Sequence, residues 1–193
     1  MGGDIGRGPF LSGDNRMTRM LDRIDRLVEA VGKLGALALP LLAITILVNV
    51  MLRYAFDIGM IELEELQWHF NAIAVMTALA WAYQTDDHVR VDAIYAGLSE
   101  KRRALVEICG VVFLLLPFAG LVAWNAWAIF SYSWQLREGS PMPSGLPARY
   151  IIKGFMLLGF VLLFLQGISI ALRALLVLAG RAHVPSDHHY KGE

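Results

Sequence analysis

Glu62, Glu64 and Glu65 put three carboxylates within four residues beside a long apolar run, with His69 one turn later. Carboxylates and histidines at bilayer depth relay protons, bind ions or line a substrate path, so an intramembrane ionisable group reads as functional by default. The placement of these four argues otherwise. They open a stretch, 61–92, that is almost wholly apolar from Phe70 to Tyr83 and polar again from Gln84. At ~1.5 Å rise per residue a helix of this length crosses a hydrocarbon core of ~30 Å. The acids then lie in its first turns, where they complement the positive end of the helix dipole. The exit carries Asp86, Asp87, His88, Arg90 and Asp92. No other apolar segment starts with so many polar groups, and a partner is the readiest reason for them.

Other chemistry is scarce. No nucleophile–base pair, phosphate-binding loop or metal spacing stands out. Haem would need facing histidines on two spans, and only His69 lies in one. Cys109 is the sole cysteine; it allows no internal disulfide and no Cys-based metal site, and is expected to face the core. His188 and His189 lie near the end and are given no metal role. The formal net charge is zero, which gives no support for nucleic-acid binding. The sequence thus predicts no catalytic residue, no metal site and no cofactor. An autonomous transporter would show an internal repeat and broken helices. Simple spans without a repeat suit a subunit of something larger.

The elements that position these residues are helical and membranous. Of 193 residues, 56% are hydrophobic, above the ~45–50% of soluble chains. Residues 1–16 carry no period and read as a disordered tail. Met17, Leu21, Ile24, Val28 and Val31 recur at helical spacing opposite a charged face, so 17–33 is an amphipathic helix. It either lies on the membrane surface or packs on a neighbouring helix. A four-helix membrane domain over 34–179 follows, with spans at about 34–52, 61–84, 104–130 and 151–179. Pro40 kinks the first, which is an uncleaved anchor. Asn49 near its end is expected among headgroups. A second short interfacial helix is expected over 91–98, with Ser99 as the N-cap of the next helix. Pro117 sits inside the third span, which membrane helices tolerate when neighbours satisfy the freed carbonyl. Trp124, Trp127, Tyr132 and Trp134 form an aromatic belt. Residues 135–150 hold three prolines and two glycines and read as an ordered loop. In the fourth span Gly154, Gly159 and Gly167 are close-contact points, and Gln166 and Ser169 make helix-to-helix hydrogen bonds. The tail, 180–193, is polar.

Thirteen of the seventeen Lys and Arg lie up to Lys33, in 90–103 and from Arg173 onwards. Arg53, Arg137, Arg149 and Lys153 fall on the other side. That asymmetry predicts both termini in the cytoplasm, with the acidic entrance and the Pro/Gly loop facing outward.

Two stretches carry a family resemblance. The first is Arg53-Tyr54, then Glu64-Glu65-Leu66, an apolar span, and His88-Val89-Arg90-Val91-Asp92. The second is Arg137-Glu138-Gly139-Ser140, Gly145-Leu146-Pro147, Lys153, Leu158-Gly159-Phe160 and Gln166-Gly167. In order and spacing they resemble the small membrane subunit of tripartite ATP-independent periplasmic (TRAP) transporters, the DctQ-like family, over roughly 34–178. Asp86-Asp87 departs from the pattern, which has a basic and a small residue before the histidine. The second stretch is most similar to the branch associated with keto acids and other organic carboxylates.

The resemblance implies the small permease subunit of an importer in the bacterial inner membrane. A periplasmic binding protein delivers an organic acid, and a large membrane subunit carries the substrate and sodium sites. The small subunit scaffolds the large one in the bilayer and holds no cofactor or ion of its own. Arg53, Glu64, Glu65, His88, Asp92, Glu138, Ser140, Pro147 and Lys153 are then candidate partner contacts, and Trp124, Trp127 and Trp134 membrane-interface anchors. For each charged candidate a local role competes: dipole compensation for the glutamates, a capping network for His88 and Asp92, a self-contained turn for the loop. The alternative is a scaffold or assembly subunit of another inner-membrane complex.

Overall fold

A computed structural model describes residues 15–85 and 100–179. Among them all regular structure is helical: α1 (Asn15–Ala36), α2 (Ala38–Ala55), α3 (Ile61–Gln84), α4 (Glu100–Gly110), a π-helical turn (Val111–Leu115), α5 (Leu116–Gln135) and α6 (Tyr150–Leu178). His88, Asp92, Ser99, the expected helix over 91–98, residues 1–14 and the tail over 180–193 lie outside the described residues, while Asn15 and Arg16, expected in the tail, open α1.

Prolines set two of the interruptions. Pro40 has no N–H to offer Ala36, and the helix breaks at Leu37, whose N–H bonds instead to Leu34 O at 3.2 Å. In the long third helical stretch the ring of Pro117 would meet the carbonyl four residues back. The turn just before it widens to a π-helix, a common way to absorb such a defect.

Three stretches are long and apolar enough to cross a membrane: Met17–Ala55, Ala104–Gln135 and Tyr150–Leu178. The first joins α1 and α2. The second runs past residue 130, where the expected span stops, so Tyr132 and Trp134 belong to the helix. α3, at 24 residues, is long enough but is not among the three. Its Gln67, His69, Asn71 and Thr77 lower its hydropathy. Gln67, His69 and Thr77 are carried because α3 is central, with α1, α2 and α6 packed on it, whereas Asn71 is exposed.

Small residues allow this packing. Ala80 of α3, Ala119 of α5 and Val28 of α1 meet Leu162 and Leu163 of α6 in the core. A Cβ on Gly159 would stand 2.6 Å from the backbone oxygen of Met76, so α3 and α6 touch main chain to main chain. A Cβ on Gly35 would fall 1.6 Å from Thr77 Oγ1, which fixes α1 against α3.

α1 takes the second of its two expected placements: its apolar face packs on α3 and α6. A polar lock holds it there. Asp25 of α1 accepts hydrogen bonds from Gln166 Nε2 (3.1 Å) and Ser169 Oγ (3.4 Å) and pairs with Arg173 at 2.5 Å. Arg173 also reaches Asp22 at 3.2 Å. Two expectations fail. Cys109 is exposed, because α4 turns Ala104 and Ile108 towards α6. Asn49 is buried rather than among headgroups, because α3 covers that face of α2.

Candidate functional site

The candidate residues gather where the α2–α3 and α5–α6 connections meet. α3 starts at Met60, which is extended and offers no side-chain cap, so the first turn has free N–H groups with Glu62 and Glu64 beside them. Glu64 pairs across the crevice with Arg53, the last basic residue of α2. Glu65 points the other way, into the α5–α6 loop. It accepts hydrogen bonds from Ser140 Oγ and from Leu146 N–H, the latter at 2.6 Å. His69 Nδ1 lies 2.7 Å from the Glu65 carbonyl and is occupied within the helix.

The loop is a closed structure. Glu138 N–H bonds to Ser133 O at 3.1 Å, Arg149 N–H to Glu138 O at 2.9 Å, and Ser140 N–H to Leu146 O at 3.1 Å. Arg137 and Ala148 adopt positive φ, 49° and 77°, to turn the chain at its neck. Gly145 is required by a close approach: a Cβ there would stand 2.1 Å from Ser140 Oγ and 2.8 Å from Glu65 Oε2. Glu138 accepts from Lys153 of α6 and from the buried Ser133 hydroxyl (2.6 Å). The Lys153 ammonium first, and then the Ser133 hydroxyl, hold the Glu138 carboxyl below its ordinary value of 4.5. Arg137 lies over Trp134, 4.7 Å from the ring centre, and Trp134 meets Tyr150 edge-on at 5.0 Å. Pro147 is exposed at the loop surface.

Three pairs among the candidates thus meet one another: Arg53 with Glu64, Glu65 with Ser140, and Glu138 with Lys153. Trp124, Trp127 and Trp134 project from α5, with 77, 57 and 46% exposure. Sequence reasoning missed Ser133 and the Leu146 N–H, which show no signature before the loop closes. It also missed a crevice of about 540 Å³ between α2 and α3, below the Arg53–Glu64 pair, which Asn49, Gln67 and Asn71 line. Among the described residues no three His, Cys, Asp or Glu form a metal-binding group.

These features define a class: a helical, multi-pass membrane protein whose Glu64, Glu65 and Glu138 are held by its own donors. The family described as "Tripartite ATP-independent periplasmic transporters, DctQ component" matches residues 42–177, and the chain belongs to it. It is a small TRAP transporter subunit of the inner membrane, a transporter component and not an enzyme. No curated protein and no solved structure matches it.

Proposed function

We propose that this chain is the small permease subunit of a secondary-active, binding-protein-dependent importer of organic carboxylates, and that it scaffolds a large sodium-coupled subunit. One observation supports this above the rest. The carboxylates that most resemble an ion or substrate site, Glu64, Glu65 and Glu138, are each engaged by a donor of the chain itself. Groups so engaged are what a scaffold needs to hold its own loop and helices together. Substrate and sodium sites then belong to the partner.

In this reading α3 is the fourth span. Its 24 residues extend ~36 Å, and flanking helices cover Thr77 and part of Gln67 and His69. Both termini lie in the cytoplasm by the distribution of Lys and Arg. The loop over 136–149, with Pro147 at its surface, faces the periplasmic binding protein. His88 and Asp92 lie on the cytoplasmic side, and Trp124, Trp127 and Trp134 anchor α5 in the bilayer.

Deleting this subunit tests the proposal. Uptake of radiolabelled keto acids and dicarboxylates should be lost and restored by the full-length chain. The purified binding protein should bind the same ligands throughout. Uptake that survives deletion would refute the role.

A further inference from the structure

The α2–α3 crevice has a feature that a lipid-facing surface does not tolerate. The Arg53–Glu64 pair lines one end of it. One turn in from Arg53 lies Asn49, and one turn in from Glu64 lies Gln67. Asn71, a turn further along and exposed, lines it too, with Leu42 and Ile46. Asn49 is only 8% exposed. Its Oδ1 and the Nε2 of Gln67 are shut off from solvent and have no hydrogen-bond partner. A buried polar atom without a partner carries its full desolvation cost, and hydrocarbon offers no relief.

We propose that this crevice seats a transmembrane helix of the large subunit, which inserts a neutral side chain that both donates and accepts hydrogen bonds, a carboxamide or a hydroxyl. The inference rests on reading the chain as a permease subunit. The chemistry of the site selects the occupant. It lacks one donor, for Asn49 Oδ1, and one acceptor, for Gln67 Nε2. A carboxamide or hydroxyl supplies both, and still does so if either amide is turned over. A phospholipid phosphate supplies acceptors only. The charge that would draw it is absent too, because Glu64 already neutralises Arg53. The seat is also open to a helix. α2 packs chiefly on α3 and α1, and Trp68, at 70% exposure, flanks the opening with apolar surface.

The experiment uses the tagged full-length chain in native membranes, with a photo-crosslinking amino acid placed at Asn71 or, on a different helix, at Trp124. Light should join the Asn71 position to the large subunit. In a separate double variant, Asn49→Leu with Gln67→Leu, the large subunit recovered with the tag should fall about tenfold, the worth of two interhelical hydrogen bonds. Lipid adducts alone at Asn71, no adduct there while Trp124 captures the large subunit, or unchanged recovery by the double variant would each overturn the proposal. If the unaltered chain brings down no large subunit, the permease reading falls as well. If it does so and Asn71 captures none of it, only the crevice assignment fails.

Discussion

Glu65 and Asn49 lie near the same end of the bundle, yet their surroundings differ. Glu65 has two donors from a loop folded around it, and Glu138 beside it has two more. Asn49 Oδ1 and Gln67 Nε2, in the adjoining crevice, have no partner. In a bilayer a polar group is satisfied within its own chain or by another molecule. The loop is therefore a finished structure that stabilises this subunit by itself. The crevice is an unfinished one, and its polar atoms contribute only when something fills it.

Substitutions separate the two kinds of region. The largest loss is expected at the α1 lock, where Asp25 gathers three donors although Gln166 Oε1 is itself without a partner. Asp25→Ala removes the acceptor of Gln166, Ser169 and Arg173 together, and should cost about 3 kcal/mol. Hydrogen exchange in detergent should show α1 opening while the α5–α6 loop stays protected. Gly145→Val should come next, at about 2 kcal/mol, because its side chain displaces Ser140 from Glu65. A thermal shift of the purified subunit measures it.

Glu138→Gln gives a pH signature. The folded Glu138 carboxyl titrates below 4.5, so its contribution is present above that value and fades as pH falls through the depressed one. The variant should melt below the natural protein at neutral pH and converge with it in acid. A constant offset at every pH would show that the ionised carboxylate is not what matters.

The smallest effect is expected in the crevice. Asn49→Leu with Gln67→Leu should leave the isolated subunit within about 0.5 kcal/mol of the original or stabilise it, since two unsatisfied groups are replaced by apolar ones. A loss as large as that at Gly145 would place the crevice with the finished regions and erase the contrast.

Much of the helical frame was legible. Apolar runs and prolines located the helices, since hydrocarbon admits so few backbone arrangements. Glycines at 154, 159 and 167 read correctly as contact points: besides Gly159 on Met76, a Cβ on Gly154 would meet Phe130 at 3.2 Å and one on Gly167 would meet Leu115 at 3.0 Å. Gln166 and Ser169 read correctly as helix-to-helix bonds, but their acceptor, Asp25, lies 141 and 144 residues away on a face that looked merely solvated. Periodicity says which face is polar and not what it meets. For the same reason Asn49 was placed among headgroups: its burial depends on how α3 lies against α2. The glutamates looked unpaired because Leu146 N–H is a backbone donor without a side-chain signature, and because Ser140 reaches Glu65 only after Gly145 lets the loop close.

If this subunit exists to hold a larger one, the two leave the membrane together. Extraction of the tagged protein in native lipid, with mass spectrometry of the proteins that accompany it, tests that most directly. A stoichiometric, much larger multi-span partner is expected. Recovery of the small subunit alone, as a self-oligomer in intact lipid, would contradict it.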